Sequence, residues 1–467
     1  MSDARGCSTL DKALAINLDS GRYGTFAEIG AGQEVVRWFF QAGGAAGTIS
    51  KSISAYDMHV SDAIYGKCQR YVCRERLESM LDYEQALIRH RLSNTRGDST
   101  SFFTFADTVS ARNYLGTNEC HAWMGIRFQA APGADDSAII LHVRMLDDSN
   151  ALQQDALGIV GVNLIYGAYD LHHQPEALIA SLIDGISANR LEIDMISVSG
   201  PAFVGIDNRV MTLRLVQLGL TGAAMFSADG VVLQPSEALR KRPLLVERGR
   251  FRPVTHVNID MLDAAMAKFE QVCDVQAGET LPIMEISMHN LAEHGDVFLE
   301  DFVSRAEVLA TTGYTVLISD YPEFYRLAAY LFRCTNRPIG LAMGLGTLRS
   351  LFEEQYYAAL DGGILESFGR LFKEQLKLLI YPLKNESTGK IESVDDLRLE
   401  NSLQHLFNYL KSRQCIIALE DISQEFLGIH SPDVLDMIAS GSDEWQKMVP
   451  ESVATAIVER KLFGYSG

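Results

Sequence analysis

The sequence predicts an α/β protein built from parallel strand–helix repeats, and three observations carry that reading. From Ala138 onward, short apolar runs alternate with amphipathic helical segments. The runs are almost continuously apolar, as strands buried on both faces are. Two stretches also echo each other. Arg214, Leu218, Thr221, Gly222 and Asp229 line up with Arg305, Leu309, Thr312, Gly313 and Asp320 at a constant offset of 91, and Glu192-Ile-Asp-Met195 resembles Glu285-Ile-Ser-Met288. Each copy reads strand, helix, threonine–glycine turn, strand, aspartate. A duplication and a shared packing problem both produce this pattern, and both imply βαβ units. The strand number suits a (β/α)8-like barrel or an open doubly wound sheet. A count approaching eight, with no early GxGxxG after a first strand, inclines toward the barrel.

The elements follow in order. Thr25–Ile29 has the character of a short strand and Gln33–Gln41 that of a helix, followed by the small-residue stretch Ala42–Lys51. Arg70–Arg91 repeats Val72, Leu77, Met80, Leu81, Leu87 and Ile88 mostly at three- and four-residue steps, which predicts a long helix. Ser101–Phe105 and Ala122–Phe128 read as strands, and Pro132-Gly-Ala-Asp-Asp136 as a break. The apolar runs then come at Ile139–Met145, Val162–Ala168, Leu191–Val198, Gly222–Ser227, Ile283–Met288, Tyr314–Ser319 and Ile339–Met343, with Leu244–Glu247 a weaker eighth. Pro175–Ile186, Asn208–Leu218, Leu299–Ala310 and Pro322–Phe332 are the intervening helices. Beyond Ser350 the chain turns mostly helical, interrupted by the apolar runs Lys377–Tyr381 and Ile416–Leu419, and Ser431-Pro-Asp433 marks a helix start with serine as its cap. The expected organisation is a mixed α+β region over 1–135, a parallel α/β core over 136–348 and a mostly helical region over 349–467.

Composition narrows the function. At 467 residues the chain holds two to four domains of roughly 100–200 residues. With 47% hydrophobic and 22% charged residues it is an ordinary folded protein. Forty-one basic against 60 acidic residues give a net charge of −19 without a basic run, so no nucleic-acid partner is expected. No stretch approaches the ~18–20 apolar residues that span a bilayer, and the N-terminus has no basic segment leading into an apolar one, so neither a membrane span nor a signal peptide is expected. The seven cysteines are scattered without a CxxC pair, which argues against structural zinc and a disulfide framework and predicts reduced thiols in the cytoplasm.

Both candidate folds bind ligands at the carboxyl ends of their strands. That rule selects His142, Arg144 and Asp147 at the first run and Asp194 and Ser199 at the third. It also selects Ser227 and Asp229, then His289 and Asn290, then Ser319 and Asp320. His142 or His289 is the expected proton carrier. Asp229 and Asp320, at equivalent places in the echoed units, are expected on one rim, positioning substrate or Mg²⁺. Capping of turns is the competing role for such aspartates. Gly344-Leu-Gly-Thr-Leu348 opens a helix, where Gly344 and Gly346 let backbone N–H groups approach an oxyanion and Thr347 adds a hydroxyl. Lys51 and Arg144 would offset ligand charge. His289 and His294 do not have the i,i+4 spacing of a helical metal pair. Glu119, His121, Trp123 and Arg127 share one strand face, which borders a ligand cleft or faces solvent.

Four phrases carry a family resemblance: Ser54-Ala-Tyr-Asp-Met58, Ser61-Asp-Ala-Ile-Tyr-Gly66, Gly158-Ile-Val-Gly-Val-Asn-Leu-Ile-Tyr-Gly167 and Ile364-Leu-Glu-Ser-Phe-Gly-Arg-Leu371. Together they resemble a largely uncharacterised bacterial family, some of whose members are automatically named nicotinate-nucleotide adenylyltransferase. That name implies nucleotidyl transfer from ATP to a pyridine nucleotide. Genuine adenylyltransferases share an HxGH-type motif, which this chain lacks, and an ISxxR-type motif, matched here only by Ile186-Ser-Ala-Asn-Arg190 in mid-core. The resemblance therefore implies a shared fold, and no catalytic residue is carried over from it.

Two function classes follow. The first is a cytosolic enzyme acting on a small phosphorylated or nucleotide-like metabolite, a transferase of nucleotidyl or phosphoribosyl type, with Mg²⁺ as the fitting cofactor and a homo-oligomer as a compatible state. The alternative is a non-catalytic metabolite-binding or scaffold protein that uses its C-terminal helices for partner contacts.

Overall fold

The computed structural model describes residues 8–293, 296–373, 375–385 and 387–466. Cys7 and His294 lie outside them. The chain divides into two compact units, 1–221 and 222–467.

The first unit runs α1 (Thr9–Leu18), β1 (Arg22–Gly30), α2 (Val35–Ala42), β2 (Ile49–Ile53), α3 (Met58–Tyr65), α4 (Arg74–Arg96), β3 (Ser101–Ser110), β4 (His121–Gln129), β5 (Asp136–Met145), α5 (Asn150–Asp170), α6 (Pro175–Ser181), β6 (Leu191–Ser199) and α7 (Asn208–Gln217). Among the described residues its sheet has the order β2-β1-β3-β4-β5-β6. β1 lies parallel to β2 and β3, and the pairs β3–β4, β4–β5 and β5–β6 are antiparallel. Residues of alternate parity face opposite ways. Phe103, Phe105, Met124, Ile126, Ile139, Leu141 and Val143 join the core formed with α1, α2, α5, α6 and α7. α4 covers the other face, where Leu77 and Leu81 fill the space above Gly125.

The run at 162–168, expected as a strand, lies inside α5. This helix is buried around most of its circumference, so its sequence shows neither a polar stripe nor a 3.6-residue period. An apolar run of that kind is indistinguishable from a buried strand by periodicity alone. The expected break at 132–136 is only the turn between β4 and β5. The nine-residue ladder across it places 135/136 inside one sheet, so the division falls at 221/222 instead.

The second unit runs β7 (Ala223–Phe226), β8 (Val232–Leu233), α8 (Pro235–Ala238), β9 (Leu244–Arg248), α9 (His256–Cys273), β10 (Leu281–Ser287), α10 (Met288–Leu291), the small hairpin β11 (Ala292–Glu293) and β12 (Asp296–Val297), α11 (Leu299–Ala310), β13 (Thr315–Ser319), α12 (Phe324–Cys334), β14 (Ile339–Gly344), α13 (Leu345–Leu351), α14 (Gly363–Leu371), β15 (Leu376–Tyr381), the hairpin β16 (Leu383–Lys384) and β17 (Ile391–Glu392), α15 (Asn401–Ser412), β18 (Ile416–Ala418), α16 (Ser431–Ser440) and α17 (Glu451–Arg460). Its main sheet has the order β18-β15-β14-β9-β10-β13-β7-β8. The six strands from β18 to β13 are parallel, whereas β7 and β8 are antiparallel to their neighbours.

The sheet is therefore open, not a barrel. Numbered by their order in the chain, the parallel strands stand 3-2-1-4-5-6, the doubly wound arrangement whose order reverses between the first and fourth strands, here β9 and β14. Leu244, Val246, Leu341 and Leu378 face α12, α13, α14 and α15, and Gly340 faces α9, where an added Cβ would meet Phe269 at 2.9 Å. Burial on both faces explains the continuous apolar runs.

The runs at 377–381 and 416–419 are the fifth and sixth parallel strands. A boundary at 348/349 would cut this sheet, and the helices beyond it cover the sheet itself. Equally, 138–343 is not one parallel unit, because β5 and β6 belong to the antiparallel part of the first sheet. The helix expected at Ser431 starts there, with His430 as its cap position and Ser431 bonded to the carbonyls of Arg252 and Pro253.

Candidate functional site

In an open α/β sheet the loops after the first and fourth strands leave toward opposite faces, and the gap between them is a natural crevice. In the second unit Ser287 ends β10 and caps α10 by accepting from the Asn290 N–H at 3.2 Å, which leaves His289 exposed at the strand end. Gly344 ends β14 as the cap of α13, with Thr347 exposed in its first turns. His289 and Thr347 line one cavity of about 360 Å³ together with Pro322, Glu323, Phe324, Ser350, Leu351, Tyr356 and Tyr357. His289 and Pro322 also line an adjoining hollow of about 380 Å³ that contains Asp320. An added Cβ at Gly344 or Gly346 would meet nothing within 4 Å, so the backbone there is open to approach.

A buried ion pair holds one wall of the crevice. Glu285 on β10 is fully buried and accepts from Arg248 Nε at 2.6 Å and Nη2 at 3.1 Å, and from the Ser319 hydroxyl. The same guanidinium donates to the carbonyls of Tyr321 and Pro322, each at 2.7 Å, and lies over the Phe324 ring at 4.5 Å. Arg248 thus ties the β13–α12 turn to the sheet edge. Glu247, the next-to-last residue of β9, lies beside β14 and is buried. It accepts from Asn258 Nδ2 at 2.7 Å, and burial pushes its carboxyl up to about 8. Sequence reasoning overlooked Glu247, although a glutamate closing an apolar run is the available signal.

Asp229 is not part of this rim. It lies in the turn between β7 and β8, where Ser227 N–H bonds to Val231 O at 2.9 Å. Because β7 runs antiparallel to β13, the ends of the two strands point to opposite edges. The shared rim expected from the echo assumed parallel strands, and the pairing direction overturns it. No cluster of three or more metal-ligating side chains occurs among the described residues.

The first unit holds a separate polar assembly. His142 on β5 is buried and lies opposite Trp123 on β4. Across from it, β6 carries a bulge that leaves Asp194 as the extra residue. Asp194 Oδ1 is 2.6 Å from His142 Nδ1, and His142 Nε2 is 3.0 Å from His121 Nδ1. The carboxylate holds an N–H of His142 on Nδ1, and the contact between His142 Nε2 and His121 Nδ1 places one proton between the two rings. Burial, then the proximity of His142 and Arg70, hold His121 down to about 4. Trp123 is buried as well, so the middle of this strand face is interior, whereas Glu119 is exposed and Arg127 is half-buried against Asp82.

The two cations expected to meet a ligand are engaged within the same unit. Arg144 pairs with Glu192 and Glu119, and Lys51 with buried Glu84. At the end of β1, Glu28 stands opposite Asp107. Glu28 accepts from the N–H groups of Gln33, Val35 and Val36 at the start of α2, yet burial still raises it to about 7. Asp107 is held well above the ordinary range by burial and by Glu28. Neither was expected from sequence, since both sit in apolar runs.

The fold and crevice thus define an α/β protein with a pocket at the carboxyl edge of a doubly wound sheet, lined from the loops after its second, third and fourth parallel strands. No protein-family model and no curated protein matches the chain. Among solved structures, the competence/damage-inducible protein CihA of Agrobacterium tumefaciens is similar at 15% identity and a TM-score of 0.25, over 35% of this chain and 97% of that one. A CinA superfamily protein of Enterobacter cloacae is similar at 10% identity and a TM-score of 0.27, over 36% and 96%. A competence- or damage-inducible protein of Enterobacter asburiae is similar at 14% identity and a TM-score of 0.26, over 35% and 99%. No helix among the described residues is long and apolar enough to cross a membrane.

Proposed function

We propose that the second unit binds a small nucleotide-like metabolite in the crevice between the ends of β10, β13 and β14, and that the protein is an enzyme acting on it. One observation carries this reading: loops from both sides of the sheet's reversal point, bearing His289 and Thr347, line a single cavity. Phe324, Tyr356 and Tyr357 offer flat apolar faces for a heterocyclic ring. Thr347 and Ser350 supply hydroxyls, and Glu323 a carboxylate that suits sugar hydroxyls. His289 is the exposed proton carrier, with Asp320 in the adjoining hollow. The reaction class proposed is group transfer of nucleotidyl or phosphoribosyl type, with Mg²⁺ entering on the ligand's phosphates, since Mg²⁺ is commonly held by one or two carboxylates and substrate phosphates.

Calorimetric titration with adenosine, AMP, ATP–Mg²⁺ and inorganic phosphate tests the reading. His289, Thr347 and Tyr356 are exposed, so His289→Ala, Thr347→Val and Tyr356→Ala should fold normally. The expected result is nucleotide binding by the wild type, weakened about tenfold in Tyr356→Ala, or ~1.4 kcal/mol. Absence of binding for every probe, or binding unchanged in all three variants, rejects the crevice. Binding without turnover leaves the non-catalytic alternative.

A further inference from the structure

The scattered cysteines of the sequence include one pair that the fold of the first unit brings together. Cys68 Sγ and Cys73 Sγ are 3.7 Å apart, in contact but not bonded. Cys73 is the cap of the 23-residue helix α4, where its sulfur accepts from the Arg76 N–H at 3.4 Å and its S–H donates to Arg70 O at 3.0 Å. Cys68 is partly exposed and Cys73 buried. The connecting segment is pinned at several points. Arg76 donates to Gly66 O at 2.8 Å and to Asp62 at 2.9 Å, Tyr71 OH donates to Asp62 at 3.0 Å, and Thr108 Oγ1 on β3 donates to Tyr71 O at 2.6 Å. The two thiols are therefore held near each other by contacts that do not involve sulfur.

We propose that Cys68 and Cys73 form a reversible intramolecular disulfide on exposure to a peroxide. A disulfide needs its sulfurs about 2.05 Å apart, and the two sulfurs already stand in contact at 3.7 Å. The partly exposed Cys68 sulfur attacks one oxygen of hydrogen peroxide, the oxygen–oxygen bond breaks, and the departing hydroxide takes up the proton the Cys68 thiol has given up, leaving Cys68 sulfenic acid and one water. Cys73 sulfur then attacks Cys68 sulfur, the sulfur–oxygen bond breaks, and the hydroxyl leaves with the Cys73 proton as a second water. The two thiols lose two electrons and two protons, and the peroxide accepts them. The order of steps follows from exposure, because Cys68 is partly open to solvent whereas Cys73 is buried, and burial raises the Cys73 thiol. The bond would close a ring around Arg70, one of the charges that keep His121 neutral, and would fasten the start of α4 to the segment beside the His121–His142–Asp194 network.

The sequence offers a direct test on the 467-residue chain. Trypsin cuts after Lys67, Arg70 and Arg74, which places Cys68 in Cys-Gln-Arg and Cys73 in Tyr-Val-Cys-Arg. After peroxide treatment, alkylation of remaining thiols and digestion, mass spectrometry should find these two peptides joined, with loss of alkylation at both. Dithiothreitol should separate them, and Cys68→Ser should abolish the joined species while leaving the circular dichroism spectrum unchanged. Cys73→Ala should leave Cys68 trapped as sulfenic acid, detectable with dimedone. Retention of alkylation at both cysteines while other thiols oxidise overturns the proposal. So does Cys68 recovered only as sulfinic acid or joined to a different cysteine.

Discussion

Ser319, the last residue of β13, lies opposite Ala223, the first residue of β7. That pairing sends the chain after Ser319 and the chain after Phe226 to opposite edges of the sheet, and it separates two aspartates that the sequence presents as equivalents. Asp320 reaches the crevice edge, while Asp229 sits in a hairpin turn. Asp320→Asn should reduce nucleotide-dependent thermal stabilisation, and Asp229→Asn should leave it unchanged. The double variant should match Asp320→Asn alone. A Mg²⁺ affinity lost equally in both single variants would contradict this arrangement.

The Arg248–Glu285 pair supports both stability and the crevice wall. Replacing one member of a buried pair strands the other charge, so Arg248→Met should destabilise the fold by about 3–5 kcal/mol. Urea denaturation measures this directly. The double replacement Arg248→Met with Glu285→Leu should recover part of the loss, since no uncompensated charge remains, while ligand binding stays impaired because the 321–324 turn has lost its anchor.

Stability should fall as pH rises through neutrality. Burial raises Glu247 to about 8 and Glu28 to about 7, each above the ordinary carboxyl range. Between that range and the raised values, the folded protein binds protons that the unfolded chain has released, and stability then declines with increasing pH. Glu247→Gln should flatten the decline between pH 5 and about 8 and raise the melting temperature at pH 8 relative to wild type. Identical pH profiles for the two proteins would show that Glu247 does not titrate in this window.

The chain from Asp194 through His142 to His121 has a spectroscopic signature. Nitrogen-15 shifts should show His121 neutral from pH 5 to 8. Asp194→Asn removes a buried charged hydrogen bond, and should destabilise the protein by about 1.5–3 kcal/mol. It should also depress His121 protonation further, since the Asp194 charge raises it.

What the sequence by itself determined was local. The runs that became β6, β7, β10, β13 and β14 declare themselves as strands, because burial demands a nearly continuous apolar character. The strand-end rule picked His289 and Asp320 and the glycine turn picked Thr347, and the three lie at one edge because their strands are parallel. Tertiary structure alone decided the rest. The 162–168 run became a helix because α5 is buried around most of its circumference, which erases the periodicity that distinguishes helix from strand. The direction of β7 and the 3-2-1-4-5-6 order depend on which strands pair across long separations, and no local pattern encodes that. Asp194 reaches His142 only through a bulge in β6. Cys68 and Cys73 meet only because Arg76, Asp62 and Thr108 fold the segment between them back onto α4. Apolar periodicity reports burial, residue by residue, whereas pairing direction and side-chain convergence are properties of the whole packed sheet.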